Sequence, residues 1–232
     1  DPRLRRQTAR ALAEAQALTR RPTDAADARA LSIRASRQLN DPHGELADRE
    51  HLAELLAGQP ATRSGAGAPA PEAYRQALLY AERLGDDEAE ARIALRLGDL
   101  CADERPAEAL TFYLRSLALS ERVAEGEATA GLLCRIGWTC NEIGQPARGL
   151  EAFEQALILA GDERALRLSA QLGLSDSLAL SGQPAAAAVS ALTSLPLARE
   201  LEDAEAQLTL LTRLGEAHLA AREVEPAAGC FV

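Results

Sequence analysis

Methionine and lysine are absent from the 232 residues, so all 25 basic side chains are arginine. Aromatics are scarce, with one Trp, three Tyr and three Phe, and there are only four cysteines and three histidines. Each shortage excludes something. The histidines, His43, His51 and His218, form no paired motif, and there is no phosphate-binding glycine loop and no GxSxG elbow. The many carboxylates lie on solvated helix faces and form no identifiable catalytic pair. No enzymatic activity, metal or cofactor is therefore expected. Cys134 and Cys140 are six residues apart, which puts them on different faces of a helix rather than at a metal spacing. Together with Cys101 and Cys230 they read as buried thiols, in keeping with a reducing, cytoplasmic setting. No apolar run approaches the ~18 residues of a membrane span and no signal segment is visible, so no membrane partner is expected. A chain without a starting methionine that stops at Phe231-Val232, inside a helical pattern, is expected to be a piece of a longer protein. The all-arginine, alanine-rich composition suggests a GC-rich, bacterial genome.

The net charge is −10 and uneven. Residues 1–50 carry ten arginines against eight acids, whereas the remainder is strongly acidic. An acidic body argues against nucleic acid as the partner. Alanine and leucine dominate, which favours helix.

The pattern repeats. A small residue recurs at Gly98, Gly137, Ser175 and Gly215, and a second at Ala109, Gly149, Ala187 and Ala227. Tyr74, Tyr113, Phe153 and Phe231 form an aromatic column, with Ala191 as the exception. Ala77, Ser116, Ala156 and Ser194 follow three residues later, and Pro106, Pro146, Pro184 and Pro226 open the second helix of each unit. The second column is spaced by 40, 38 and 40 residues, the mark of a stacked helical repeat. Helices in contact lie ~8–10 Å apart, so a small residue is needed where they cross. Proline suits the first helical position, and Gly144 and Gly182 suit the left-handed cap before it. Pro196 is expected to end or kink its helix early, and His218, three residues after Gly215, to pack in the core.

Residues 1–57 fit three helices, about 3–20, from a cap at Thr23 or Asp24 to 39, and 45–57. Residues 58–71 are rich in Gly, Pro, Ala and Ser without hydrophobic period, and read as a flexible loop or insertion, most mobile near Arg63. From residue 72 to 232 helices alternate cleanly, the last repeat truncated.

Leu97-Gly98, Ile136-Gly137 and Leu214-Gly215, with Ala109, Tyr113, Ser116, Phe153 and Ala156, resemble the tetratricopeptide repeat family. The likeness is clear over residues 71–232 and weaker over 1–57. The period is nearer 40 than the family's ~34, which is similar to its longer-helix variant. The resemblance implies an all-α fold, an α-solenoid of antiparallel helix hairpins in a right-handed superhelix. It also implies that the first helices line a concave groove where partners dock. Carried over by position, Asp99, Trp138, Asp176 and Glu216 face inward, with Arg92, Asn141, Thr209 and Thr212 beside them. The family's Lys/Asn carboxylate clamp is absent, since Leu95, Asp99, Cys134 and Trp138 stand at the corresponding positions. The expected partner is a protein or peptide of basic and apolar character. Trp138 reads either as an anchor for it or as packing between hairpins. Two further readings stand beside this interaction scaffold: a regulatory input domain of a bacterial signalling protein, and self-association into a homo-oligomer.

Overall fold

In a computed structural model, residues 1–18, 22–58, 69–120, 126–220, 222 and 224–230 are described. They form twelve helices, with no strand among the described residues. The helices group into two compact units, residues 1–101 and 102–232.

The first unit holds α1 (Pro2–Leu18), α2 (Pro22–Gln38), α3 (Pro42–Ala57), α4 (Pro69–Leu84) and α5 (Asp87–Cys101), each packed on the next. The second holds α6 (Pro106–Ser120), α7 (Gly126–Glu142), α8 (Pro146–Leu159), α9 (Arg164–Leu180), α10 (Pro184–Glu200), α11 (Ala204–Ala220) and α12 (Val224–Cys230). These too pack consecutively, and α7 also touches α9, and α9 touches α11, so the first helices of successive hairpins lie side by side.

The periodic columns are the core. Tyr74, Tyr113, Phe153, Ala77, Ser116, Ala156 and Ser194 are all buried. Phe231 and Arg63 lie outside the described residues. The helix ends follow from local chemistry. Gly144 and Gly182 both have φ +73. In each case the following N–H reaches back five residues, Gln145 to the Cys140 carbonyl (2.8 Å) and Gln183 to that of Leu178 (2.9 Å), the glycine-terminated cap that closes a helix.

Phe153 shows why the small positions are small. Its ring is fully buried between two glycines. A methyl placed on Gly137 of α7 would lie 2.6 Å from its Cζ, and one on Gly173 of α9 only 2.1 Å away. Gly149, facing back from α8, is hemmed in by three groups: an added Cβ would sit 2.5 Å from Asn141 Oδ1, 3.0 Å from Ser177 Oγ and 3.1 Å from the Gly137 carbonyl oxygen. In the next hairpin Ser175 stands in the Gly137 column and Ala187 in that of Gly149, and the Ser175 hydroxyl donates to the Ala187 carbonyl at 3.0 Å. Where Ala191 replaces the ring, the space is closed by Leu168, Leu195, Leu210 and Leu214.

Some expectations need correction. α10 does not end at Pro196 but continues to Glu200. Pro196 is exposed and shares the outer face of the helix with exposed Leu192, so the carbonyl that loses its donor lies on the water side. His218 is only half-buried rather than packed in the core. α3 starts at Pro42 rather than 45, because Asp41 caps it by accepting from the Gly44 N–H at 2.9 Å. α2 starts at Pro22, which leaves Asp24 in its first turn, and α4 starts at Pro69, ahead of the pattern.

The first unit has a polar interior that its sequence pattern does not advertise. Asp48 is fully buried. Its Oδ1 accepts from Arg10 Nε (2.8 Å) and Arg29 Nη1 (3.2 Å), and its Oδ2 from Ser32 (2.7 Å) and Ser36 (2.9 Å). Burial alone would raise its pKa, but the hydrogen bonds from Arg10, Ser32 and Ser36 outweigh it and hold the carboxyl below its ordinary value. Glu45, also buried, accepts from Arg37, Arg49 and Tyr80. Arg6 pairs with Asp41. Arg6, Arg10, Arg29, Arg37 and Arg49 are thus paired inside the unit.

Candidate site on the first helices

The second unit offers the candidate surface. Trp138 and Asn141 lie on α7, Asp176 on α9, and Thr209, Thr212 and Glu216 on α11. The small residues of the repeat set their spacing, because Gly137 and Gly173 let the Phe153 ring sit between α7 and α9.

A continuous row of hydrogen bonds crosses these three helices. Ser177 Oγ donates to Asn141 Oδ1 at 2.9 Å, and Asn141 Nδ2 donates to Asp176 Oδ2 at 3.1 Å. Arg213 Nη2 pairs with Asp176 Oδ1, and Arg213 Nη1 with Glu216 Oε2 at 2.7 Å. Burial would lower the Arg213 pKa, but its bond to Glu216 and the nearby Asp176 charge raise it instead, so the guanidinium stays charged.

Trp138 sits beside this row, half-buried. Its ring meets Phe153 edge to face, with centroids 5.2 Å apart and planes at 72°, a favourable quadrupole arrangement. One side of the indole therefore packs on the core while the rest meets solvent.

The expected site residues divide accordingly. Asn141, Asp176 and Glu216 come together in one row. Asn141 is buried and Asp176 has both oxygens engaged, so these two tie hairpins together and Asp176 has little charge left to offer a partner. Glu216 keeps a half-exposed side chain. Thr209 and Thr212 donate to carbonyls within α11, those of Glu205 and Leu208. Arg92 and Asp99 belong to α5 in the other unit. Arg92 makes a bidentate pair with Glu50 of α3, at 2.7 and 2.9 Å, and so is also a tie between hairpins.

Sequence reasoning missed Arg213, Ser177 and Gly173. A signal existed. Ties between hairpins join residues about one repeat apart: Ser177–Asn141 by 36 positions, Asp176–Arg213 by 37, Arg10–Asp48 by 38 and Glu50–Arg92 by 42. Searching at that offset for complementary polar pairs would have found Arg213 and Ser177.

Cys101, Cys134 and Cys140 are buried as expected, whereas Cys230 is only half-buried. Burial pushes the Cys134 and Cys140 pKa values up, a hydrogen bond with Ser169 opposing it at Cys134. No helix among the described residues is long and apolar enough to cross a membrane.

No protein-family model matches the chain, and no curated protein matches it in sequence. Solved structures do match. A signal transduction ATPase with numerous domains (STAND) and a tetratricopeptide repeat sensor, PH0952 from Pyrococcus horikoshii, superposes with a TM-score of 0.75 at 14% identity, over 100% of this chain and 36% of that one. This chain therefore spans about a third of that protein. BtubC (BKLC) from P. vanneervenii gives a TM-score of 0.66 at 20% identity, covering 88% of this chain and 86% of that one. The Rap conjugation gene regulator of plasmid pLS20, solved in complex with the Phr* peptide, gives 0.58 at 15% identity, covering 86% and 60%. These likenesses show the fold: an all-α repeat protein of tetratricopeptide type.

Proposed function

We propose that this chain is a protein-interaction scaffold whose α7–α9–α11 face binds a peptide or a partner protein. The observation that carries it is the row Ser177–Asn141–Asp176–Arg213–Glu216 beside a half-buried tryptophan. Bonds across three helices hold the surface in one arrangement before a partner arrives, which lowers the ordering cost of association. Tryptophan is the residue type most enriched at binding hot spots. Asp176 and Glu216 share the single charge of Arg213, which leaves one net negative charge, and Glu216 has the more exposed side chain, so the partner offers an apolar side chain to Trp138 and a basic one to Glu216. Peptide binding by the Rap regulator, another helical-repeat protein, supports the reading by analogy of fold.

The test is selection from a displayed peptide library on the full chain, followed by titration. Trp138→Ala is expected to weaken a selected peptide by about 2 kcal/mol, mainly through faster dissociation, and Glu216→Gln to reduce the salt dependence of association. Selected peptides that bind both variants as tightly as the parent would overturn the proposal.

A second reading, a sensor or regulatory arm of a signalling protein, is favoured by the likeness to the repeat sensor of the STAND ATPase. The reading frame on either side of this segment decides it. A linked ATPase, cyclase or DNA-binding domain supports the arm, and stop codons at both sides count against it.

A further inference from the structure

The first hairpin leaves a groove open. Arg5, Ala9 and Leu12 on α1 face Leu31, Arg34 and Ala35 on α2, and these residues line a space of about 340 Å³. Ala9 and Ala35 are buried and form its floor, while Leu12 and Leu31 remain 48% and 53% exposed and form its walls. The other feature is charge. The arginines that hold this unit together are paired with Asp41, Glu45, Asp48 and Glu50, whereas Arg5 and Arg34 on the rim pair with no carboxylate among the described residues.

The complement lies on the outer face of α8. Ile158 is 80% exposed. Glu154 and Glu151 lie one and two turns before it, are exposed, and pair with no arginine among the described residues. With a rise of ~1.5 Å per residue, these carboxylates stand roughly 6 and 10.5 Å along the helix from Ile158. Arg5 stands at about the same two distances from Ala9 and Leu12 on α1. An apolar knob with acids on one side thus matches an apolar groove with arginines on one side, and both belong to the same chain.

We propose that α8 of one copy seats in the α1–α2 groove of a second copy. Ile158 enters between Leu12 and Leu31, above Ala9 and Ala35, and Glu151 and Glu154 meet Arg5 and Arg34. The two surfaces differ, so the contact is heterologous and joins copies head to tail into a ring or an open chain. A single helix in a groove makes a small interface, which implies weak association that tightens at low salt. It uses a different face from the α7–α9–α11 site and stands independently of that reading.

Sedimentation velocity of the full chain over two decades of concentration tests it. The weight-average mass should climb above 24.6 kDa as concentration rises, and fall back with added salt. R5E/R34E and E151R/E154R should each lower the association constant at least tenfold, while an equimolar mixture of the two recovers association, because each supplies the patch that the other lacks. I158D should also abolish it, and circular dichroism confirms that these surface variants remain folded. A wild-type chain that stays at monomer mass at every concentration overturns the proposal. So does association that survives all three variants, or a mixture that stays monomeric.

Discussion

Placing the Phe153 ring between two glycines makes a prediction in which the sign itself is the test. By helix propensity alone, Gly173→Ala should stabilise α9, since alanine is favoured over glycine by about 1 kcal/mol inside a helix. Packing says the opposite. The new methyl would lie 2.1 Å from Phe153 Cζ, whereas non-bonded carbons rest at ~3.5–4.0 Å. The ring cannot retreat, because on its other side a carbon at the Cβ position of Gly137 would already be 2.6 Å away. Overpacking of this kind costs roughly 1–3 kcal/mol, and a ring blocked on both faces belongs at the upper end. After the propensity gain, a net loss of about 2 kcal/mol is expected, a fall in Tm of roughly 4–8 °C at about 2–4 °C per kcal/mol. Guanidinium unfolding followed through Trp138 fluorescence is the assay, since the indole touches the ring in question. Gly131→Ala on α7 is the control. Its methyl would meet only Leu166 Cδ2 at 3.7 Å, an ordinary contact, so it should stabilise by about 0.5–1 kcal/mol. Adding Phe153→Leu to Gly173→Ala should recover part of the loss, a coupling that independent sites do not show. If Gly173→Ala proves neutral or stabilising, the ring is not where this reasoning needs it.

Other outcomes follow from the polar ties. Asp48→Ala should cost about 3–5 kcal/mol, because it leaves Arg10 and buried Arg29 without their shared carboxylate; thermal unfolding reads it. Asp41, Glu45 and Asp48 all have folded pKa values below their ordinary ones. Their contribution is therefore complete above about pH 5 and is lost as pH falls through the carboxylate range toward the lowered folded values. A first unit that gains stability on acidification from pH 5 would refute that sign. Asp176→Ala should loosen the α7–α9–α11 row, seen as faster amide hydrogen exchange in α9 and α11 than in α6, and unchanged exchange would mean the row carries no stability.

The repeat was legible because its columns are steric. Gly137, Gly149, Phe153 and Ala156 are conspicuous at a fixed period, and where hairpins must approach closely few residue types fit. The helix ends were nearly as plain, since Gly144 before Pro146 and Gly182 before Pro184 need specific backbone geometry. The first hairpins were harder to read. Their register is held by Asp48 and Glu45, and a buried carboxylate looks like any surface acid until the arginines and serines around it are brought together from three helices. Pro196 misled for a similar reason, because a proline's effect depends on which face of the helix it occupies. The site was half legible. Position within the repeat places Trp138, Asp176 and Glu216 on the first helices, but nothing local reveals that Asp176 is claimed by Arg213, 37 residues on.

The most direct test of the scaffold reading uses the single tryptophan. Acrylamide quenching of Trp138 is measured on the full chain, alone and with a peptide selected for binding. A half-buried indole on the binding face should be quenched in the free protein and shielded once the peptide is bound, while Glu216→Gln shifts the salt dependence without changing the free-state quenching. A bound peptide that leaves the quenching of Trp138 unchanged would contradict the account and place the binding surface elsewhere.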